Sequence, residues 1–408
     1  MSHLTRSLRT CALLAGLAAL AGCNDGYGNC WNCGVYIPSE QSWGVVAGNF
    51  NNNGHTSVIS TSTVRYDSQV ETGNLKIYLA TGTGTFAPPV LASDGIDPLF
   101  LASADLNGDH LLDVVSASYD DGALAVFFNS AQSPGTFGAP LLLASPGASQ
   151  VAIADMNGDG LPDLVSADFN VSLFVQTSPG VFASPVSLYP GGANWVAVGD
   201  LNGDGNLDVA LTDGVGVKVL MHTGAKSATT FAAPITVFTQ TFNASVAGAN
   251  VIAIADVNGD GFNDLVITDP GPTGLGAPTV SVLLQDAAHP GQFLAAVNYP
   301  TAPGSIAQSI IVTDIDGDGH PDIIIGGTDA VSVLLNSGTG TFSAAANYTA
   351  EDAGQIAIAD VNGDGRLDIV VTTGVSQLIV NGVITRVPGV LLQSATSPGT
   401  FGALQDLR

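Results

Sequence analysis

Six nine-residue segments of the chain carry acidic and amide side chains at the same four positions. Each has the form Asp-x-Asn/Asp-Gly-Asp-x-x-x-Asp. Calcium takes roughly six to eight hard oxygen ligands from carboxylates, amide carbonyls and backbone carbonyls. Side chains at positions 1, 3, 5 and 9, with the backbone carbonyl at position 7, supply this kind of oxygen, so we predict about six Ca²⁺ ions. The predicted side-chain ligands are Asp105, Asn107, Asp109 and Asp113; Asp155, Asn157, Asp159 and Asp163; Asp200, Asn202, Asp204 and Asp208; Asp256, Asn258, Asp260 and Asp264; Asp314, Asp316, Asp318 and Asp322; and Asp360, Asn362, Asp364 and Asp368.

Other interpretations of these segments fit less well. An EF-hand needs a Glu at the twelfth position and flanking helices, and magnesium prefers a stricter octahedron with several waters. Thiol and imidazole ligands are missing, which disfavours zinc and copper. Asn-Gly and Asp-Gly also form plain hairpin turns. Six copies with Asp at positions 1, 5 and 9 argue against that alternative, because a turn does not need three converging carboxylates.

The copies differ in ways that predict different affinities. The segment at Asp314 has four carboxylates and should bind calcium most tightly. The segment at Asp105 has His110 where Gly is expected, so we predict a weaker site, although His tolerates positive φ better than most residues. A seventh, degenerate copy starts at Asn49 and has no charge, so we predict that it is empty or very weak. We interpret calcium mainly as a structural staple, with a calcium switch as the alternative.

The segments recur every 45 to 58 residues, which suits one four-stranded blade of a β-propeller. Apolar strands flank each segment, and a Gly turn and a Phe close each unit. Seven such Phe residues match seven units: Phe86, Phe137, Phe182, Phe231, Phe293, Phe342 and Phe401. We predict an all-β fold, a seven-bladed propeller of four-stranded blades over residues 43–408. Because the chain ends just after a Phe strand, we expect residues 401–407 to pair beside the strand at 43–49 and close the ring.

These units resemble the FG-GAP/VCBS repeats of the integrin α-subunit propeller and of many bacterial surface proteins. The resemblance covers roughly residues 43–408 and rests on motifs such as Asp256-Val-Asn-Gly-Asp-Gly-Phe-Asn-Asp264, Leu265-Val-Ile267 and Ser397-Pro-Gly-Thr-Phe401. It implies a seven-bladed propeller with calcium in the loop between the first two strands of each blade. It does not imply one function, since members include adhesion modules, lectins and non-catalytic parts of enzymes.

The charge balance limits the partners. The chain has 35 Asp+Glu against 9 Lys+Arg, and 19 of these acids lie in the six segments. Nucleic acid and anionic membrane surfaces need basic patches, so we exclude both as partners. We expect membrane association only through a lipid anchor, and we expect a monomer.

The N-terminus is typical of an exported protein. His3, Arg6 and Arg9 precede an apolar stretch that is too short to span a bilayer. Leu20-Ala-Gly-Cys23 resembles the lipobox of bacterial lipoproteins, so we predict a signal peptide over 1–23, lipidation of Cys23 and a tether over 24–42; cleavage without lipidation is the alternative. The predicted location is the bacterial cell envelope, anchored in the outer membrane, or outside the cell. We expect a local disulfide between Cys30 and Cys33.

A ligand is expected on the face opposite the calcium segments, where irregular insertions at 65–73, 270–279 and 376–389 fall. Variable loops on a rigid scaffold commonly carry function. The candidate ligand residues on that face are Asp120, Asp168, Asp213, Asp269, Asp329, Tyr189 and Trp195. The Asp residues equally suit Asx-turns with their own backbone, and Trp195 equally suits packing between blades.

The sequence contains no catalytic constellation that we recognise. It lacks a Gly-x-Ser-x-Gly elbow, and Thr81-Gly-Thr-Gly-Thr-Phe86 has no Lys after it and is not a phosphate loop. We therefore expect a binding or adhesion module for carbohydrate or protein. The alternatives are a polysaccharide lyase or hydrolase and a purely structural surface protein.

Overall fold

Seven antiparallel four-stranded blades follow one another along the chain, each built from one continuous stretch of sequence. The computed structural model describes residues 39–66, 69–93, 97–224, 230–239, 251–269, 278–373, 377–380 and 383–407. Within these ranges every regular element is a strand, which confirms the predicted all-β propeller with seven four-stranded blades. In chain order the strands are Val45–Gly48, Ser57–Tyr66, Gln69–Tyr78 and Val90–Ser93 in blade 1; Phe100–Ala104, Asp113–Ser118, Ala123–Phe127 and Leu141–Ala144 in blade 2; Gln150–Ala154, Asp163–Ala167, Ser172–Phe174 and Val186–Ser187 in blade 3; Trp195–Gly199, Asp208–Thr212, Gly216–Leu220 and Ile235–Thr239 in blade 4; Ile252–Ala255, Asp264–Asp269, Thr279–Leu283 and Val297–Pro300 in blade 5; Ala307–Thr313, Asp322–Gly327, Ala330–Leu334 and Ala346–Thr349 in blade 6; and Ile356–Ala359, Asp368–Val371, Gly389–Leu391 and Gln405–Asp406 in blade 7.

The hydrophobic core lies between the blades. The second and third strands of blade 3, Asp163–Ala167 and Ser172–Phe174, are buried at every position, whereas its fourth strand, Val186–Ser187, is exposed. A sheet that packs on both faces needs continuous apolar runs, and the second strands carry them. One core cluster joins Val165 of blade 3 to Val209 of blade 4. Stacking of neighbouring blades therefore explains why the middle strands are apolar throughout.

The ring closes by packing of blade faces. A single core cluster contains Val45 and Val58 of blade 1 together with Val361 and Val370 of blade 7. At the same junction, a Cβ added to Gly84 of blade 1 would lie 3.6 Å from the Asn362 Cα of blade 7. Blades 1 and 7 are therefore neighbours, as a closed ring requires.

The predicted pairing of residues 401–407 with the strand at 43–49 is wrong. The last strand, Gln405–Asp406, pairs with Gly389–Leu391 inside blade 7. Blade 1 has its own outer strand, Val90–Ser93, paired with Gln69–Tyr78. The reason is that the fourth strand of each blade follows the Phe turn instead of containing the Phe. A unit that starts at the loop-leading strand is therefore already a complete blade.

Short extra strands link blade 1 to blade 7 through their backbones. Ser39–Gln41 pairs antiparallel with the end of Ser57–Tyr66 and runs parallel to Val383–Arg386, which forms a hairpin with Gln377–Val380. The last part of the segment expected to be a tether is thus a strand. The insertions at 65–73 and 376–389 form hairpins within the ranges described, whereas residues 270–277 lie outside them. Two further short hairpins pair Ala80–Gly82 with Thr85–Phe86 and Gln176–Ser178 with Val181–Phe182.

Strand direction sorts the connections onto two faces. The nine-residue loops and the Gly-Phe turns lie on one face, which we call the loop face. Connections between second and third strands, and between blades, lie on the other, which we call the opposite face. The described residues include no helix long and apolar enough to cross a membrane.

Candidate metal loops and the opposite face

The nine-residue loops fold by wrapping their backbone around inward-facing oxygens. In blade 3, Asp155 Oδ1 accepts a hydrogen bond from the Asp159 N–H at 3.1 Å, and Asp155 Oδ2 accepts one from the Gly160 N–H at 2.8 Å. Asn157 Oδ1 accepts another from the Asp159 N–H at 2.8 Å. Gly158 and Gly160 have φ values of +69° and +87°, which favour glycine. The side-chain oxygens of positions 1 and 3 therefore accept from N–H groups inside one tight loop, whereas Asp159 Oδ1 at position 5 accepts from the Leu161 N–H at 2.8 Å.

The Asp at position 9 has a role that the sequence reasoning missed. Asp163 is fully buried; its Oδ2 accepts a hydrogen bond from the Met156 N–H at 3.0 Å and its Oδ1 one from the Gln176 N–H at 2.7 Å. It therefore ties the loop to the end of the third strand. The same double contact recurs at Asp113, Asp208, Asp264, Asp322 and Asp368. A signal was present, because this Asp is always the first residue of an otherwise apolar strand.

Burial perturbs the acidity of these six carboxyl groups. Burial, only partly offset by the two N–H donors, raises the pKa of five of them to about 6 and also raises the pKa of Asp368. The five are Asp113, Asp163, Asp208, Asp264 and Asp322. Removing a carboxylate from water disfavours its charged form unless a positive charge lies beside it. In each of these six loops, a divalent cation would stabilise the charged form of the buried carboxyl group.

The loop of blade 6 fits a hard cation best. Atoms of Asp314, Asp316 and Asp322 lie within 4.8 Å of one another, the one such group of three within the ranges described. Burial, and then repulsion from Asp318 and Asp314, raises the pKa of Asp316. All these donors are oxygens, which suits calcium. The predicted order of calcium affinities, with this loop the tightest, stays a prediction.

In other loops the Asn at position 3 donates a hydrogen bond to the Asp at position 5. The Asn157 Nδ2 group donates to Asp159 Oδ2 at 2.9 Å. The corresponding distances are 3.1 Å between Asn202 and Asp204 and 3.0 Å between Asn258 and Asp260. An amide dipole thus replaces one carboxylate charge, so these loops should attract a cation less strongly than the loop of blade 6.

His110 and the loop at Asn49 preserve the backbone form of the loops with altered chemistry. His110 has φ +67°, and its N–H donates to Asp105 Oδ2 at 2.8 Å, as the glycines at this position do. In blade 1 the Nδ2 groups of Asn51 and Asn53 donate to the Ala80 carbonyl at 2.9 and 2.7 Å. These amide groups are thus engaged by the Ala80 carbonyl, and the loop has no carboxylate, so weak or absent binding stays the prediction there.

Six of the seven loops also approach a turn of the next blade within the described residues. The turn between the third and fourth strands carries a glycine with positive φ, and a Cβ added there would meet the position-3 residue of the preceding loop. The added atom would lie 3.2 Å from the Asn258 Cβ at Gly340 and 3.2 Å from the Asp316 Cβ at Gly399. The loops are therefore placed to fix the contact between blades as well as their own hairpin.

The opposite face has a cavity of about 600 Å³ on the propeller axis. Residues at or near the start of the first strand of every blade line it, which places it at the centre of the ring. Trp195 and Phe100 meet there edge to face, with ring centroids 5.3 Å apart. Trp195 also packs against the core between blades 4 and 5 and the core between blades 5 and 6, so it takes the expected role of packing between blades, and its role in ligand binding stays a prediction. The contributions of the seven blades are Trp43, Phe100, Ser149, Trp195, Val251, Gln308 and Gln355.

A second pocket of about 230 Å³ lies beside the axial cavity, between blades 2, 3 and 4. Its most exposed walls are Tyr119 and Phe169, 47% and 55% exposed, whose rings meet edge to face at 5.8 Å. Asp168 and Asp213 also line it. The sequence reasoning named the two Asp residues but missed both aromatics. Each aromatic directly adjoins one of the recurring Asp residues, at Tyr119-Asp120 and Asp168-Phe169, which was the available signal.

Two of the five recurring Asp residues therefore come together, and they do not form a rim. Asp168 Oδ1 accepts from the Asn170 N–H at 2.7 Å, and Asp213 Oδ1 from the Val215 N–H at 3.1 Å, which is the Asx-turn pattern. Asp120, Asp269 and Asp329 line neither cavity. Tyr189 also lines neither.

Tyr189 acts behind the pocket wall. Its hydroxyl donates to Asp213 Oδ2 at 2.9 Å, and Lys218 Nζ forms an ion pair with the same carboxylate. Although burial of Asp213 opposes charge, these two partners lower its pKa. Asp213 is thus held as a buried carboxylate, with Oδ1 engaged by the Val215 and Gly216 N–H groups and Oδ2 by Tyr189 and Lys218.

The fold and the repeated loops define the chain as a seven-bladed β-propeller with an Asp/Asn-rich loop in each blade. The FG-GAP-like repeat family matches residues 49–116, 105–166, 155–211, 256–325 and 314–371, which is more than half of the chain. The chain therefore belongs to the FG-GAP-like repeat family. It matches none of the curated protein sequences with which it was compared.

Solved structures show the same fold at low sequence identity. A lectin of Agrocybe aegerita that recognises non-reducing terminal N-acetylglucosamine is 20% identical, with a TM-score of 0.51 over 76% of this chain and 80% of that one. BBS1N in complex with ARL6DN is 10% identical, with a TM-score of 0.51 over 89% and 99%. The V. cholerae biofilm matrix protein Bap1 is 12% identical, with a TM-score of 0.47 over 90% and 91%. At these identities the likeness shows the fold alone.

Proposed function

We propose that this propeller is a carbohydrate-binding module whose ligand lies on the opposite face, over blades 2 to 4. The observation that carries the proposal is the pair of adjoining cavities lined by Trp195, Phe100, Tyr119 and Phe169. Aromatic rings offer flat apolar surfaces for the faces of sugar rings, and a side-chain amide such as that of Asn194 can donate to and accept from hydroxyls. The lectin of Agrocybe aegerita shows that a related fold supports such a role.

A protein ligand is the other expected partner, and the shape of the site favours carbohydrate. Stable protein interfaces bury about 800 Å² on each partner, mostly on broad surfaces. Small ligands instead occupy concave sites of roughly 300–1,000 Å³, and the axial cavity lies in that range. The concave shape therefore supports a small or chain-like ligand.

The pocket chemistry supports binding over hydrolysis. Glycosidases in general need one protonated carboxyl group as an acid beside a second carboxylate. Asp213 has a lowered pKa and is held by Lys218 and Tyr189, so it accepts hydrogen bonds and is a poor proton donor. A lyase or hydrolase remains the alternative, and release of reducing ends from a panel of polysaccharides would demonstrate it.

Calcium belongs to this proposal as a structural component in about six loops. Its ligands would be the side-chain oxygens at positions 1, 3, 5 and 9, with blade 6 the tightest site. The contacts between the loops and the following blades support a structural role, in which calcium holds neighbouring blades together. When bound, the cation would neutralise the buried carboxylates and fix neighbouring blades.

Export and lipid anchoring also remain part of the proposal. Cys23, Cys30 and Cys33 lie outside the described residues, so lipidation and the disulfide stay predictions from sequence. Calcium is abundant outside cells, and extracellular modules bind it with dissociation constants of roughly 10⁻⁴–10⁻³ M. Metabolic labelling with a radioactive fatty acid, lost in Cys23→Ala, would test the anchor.

A glycan array in millimolar calcium tests the binding function. We expect binding to a restricted set of glycans, reduced at least about tenfold in Trp195→Leu, because buried aromatic residues carry much of the affinity of an interface. Leu294→Ala is the matched control, since Leu294 is 51% exposed in a Gly-Phe turn on the loop face. If no glycan binds, or if both variants behave alike, the proposal is wrong.

A further inference from the structure

The two cavities of the opposite face share part of their walls. Tyr119, Ser149 and Asn194 line both the axial cavity and the lateral pocket. Ser149 Oγ donates to the Asn194 carbonyl at 3.0 Å, so these two residues are joined where the two cavities meet. A ligand that fills both cavities would cross Ser149 and Asn194.

The two cavities differ in size and lining. The lateral pocket, at about 230 Å³, is smaller than common small-ligand sites and suits one compact polar unit. Carboxylates, glycines and Asn194 line it beside the two exposed aromatics. The axial cavity, at about 600 Å³, is lined mainly by Trp43, Leu99, Phe100, Trp195 and Val251. One end thus recognises hydroxyl groups and the other offers ring surfaces for stacking.

The charge of the site selects against acidic ligands. The buried carboxylates of Asp168 and Asp213 lie in the wall of the lateral pocket, and the described lining of the two cavities contains no Lys or Arg. Lys218 lies behind Asp213 and is engaged by it. With a formal net charge of −26, the protein also repels anions at long range. Uronic acids and sulfated sugars are therefore poor ligands for this site.

From these observations we propose that the ligand is a neutral oligosaccharide, bound across both cavities. This inference rests on the proposed carbohydrate-binding function and makes it specific. The terminal ring occupies the lateral pocket against the edge-to-face pair of Tyr119 and Phe169, where Asn194 and the backbone of Gly191 and Gly192 offer polar groups to its hydroxyls. The following rings cross Ser149 and Asn194 and stack in the axial cavity.

Gly147 positions the aromatic wall of the lateral pocket. A Cβ added at Gly147, whose φ is +81°, would lie 2.7 Å from the Phe169 ring. Gly147→Ala should therefore displace Phe169 and weaken binding of the terminal ring. This variant tests the lateral pocket without removing any side chain that contacts the ligand.

The test is calorimetric titration of the full-length protein in calcium with β1,4-linked glucose, mannose and N-acetylglucosamine series of one to five units. In the series that binds, affinity should rise at least tenfold between one and three units and then level off. Trp43→Leu and Trp195→Leu should reduce trisaccharide affinity towards that of the monosaccharide and change monosaccharide affinity less than about twofold. Gly147→Ala should weaken both ligands.

The possible outcomes distinguish failure of the two-cavity inference from failure of the proposed carbohydrate binding. A monosaccharide that binds as tightly as its trisaccharide would overturn the two-cavity inference and leave carbohydrate binding intact. Stronger binding of tri-galacturonate than of any neutral trisaccharide would overturn the choice of a neutral ligand. Binding of no sugar at all would refute both proposals. Thermal melts of the Trp variants, with Leu294→Ala alongside, identify unfolding as a cause of lost binding.

Discussion

The loop face and the opposite face of this propeller differ in how they use repetition. On the loop face the same nine-residue geometry recurs in every blade, and blade 1 keeps it although Asn or Ser replaces each acid. On the opposite face, among the residues that the structure describes, exposed aromatics gather around a pocket at blades 2 to 4. The difference indicates that the repeated feature builds the scaffold, whereas the departure from repetition marks where a ligand binds.

Removing calcium should produce the largest effect on the scaffold. A ligand at 10 to 100 times its dissociation constant stabilises the native state by about 1.4–2.7 kcal/mol per independent site. With about six sites, EDTA should lower the free energy of unfolding by several kcal/mol, measured by urea titration with and without 10 mM CaCl₂. Calorimetry should count about six sites, the tightest weakened in Asp316→Asn. Equal stability in both buffers would show that the loops fold without metal.

The buried carboxyl groups predict an unusual pH dependence in EDTA. Five of them have a folded pKa of about 6, above the ordinary 3.8, because of burial. The folded protein therefore holds more protons than the unfolded chain between these pH values, so the contribution of these groups to stability is largest below pH 4. This contribution to the free energy of unfolding falls as the pH rises to about 6, by up to about 1.4 kcal/mol per pH unit for each group.

The measurement is the free energy of unfolding, obtained from urea titrations at pH values between 5 and 7. In EDTA we expect this free energy to decrease by a few kcal/mol towards pH 7. In calcium the trend should vanish or reverse, because metal binding needs deprotonated ligands. A stability that rises with pH in EDTA would contradict the raised pKa values.

A single position-9 Asp should matter more than any exposed acid. Asp163→Leu leaves the Met156 and Gln176 N–H groups buried without their acceptor, and each unsatisfied donor costs about 1–3 kcal/mol. We expect a loss of about 2–6 kcal/mol, measured in EDTA so that calcium binding does not contribute. Asp120→Ala, at an exposed position on the opposite face, is the control and should stay within about 0.5 kcal/mol. If both substitutions cost the same, the tie between loop and third strand is not important.

The two faces also differ in how far the sequence predicts them. The repeat period, the apolar runs and the spacing of the loops were sufficient to predict the seven blades, because each unit repeats the same local sequence pattern. The closure was mispredicted because pattern alone does not show that the outer strand follows the Phe, as Val90–Ser93 follows Phe86. The pocket was predicted only in part, since Tyr119 and Phe169 are far apart in sequence and meet only because consecutive blades stack.

The smallest predicted effect distinguishes blade 1 from its calcium-binding neighbours. Asn53→Ala removes one hydrogen bond to the Ala80 carbonyl, which Asn51 still satisfies, so we expect a loss of about 1 kcal/mol. The loss should be the same in calcium and in EDTA. Asp318→Ala, at the same loop position in blade 6, should instead cost more in calcium than in EDTA, because it removes a proposed ligand. A calcium-dependent effect of Asn53→Ala would mean that blade 1 binds an ion, so that the loop face has seven metal sites and its chemistry is repeated as fully as its backbone.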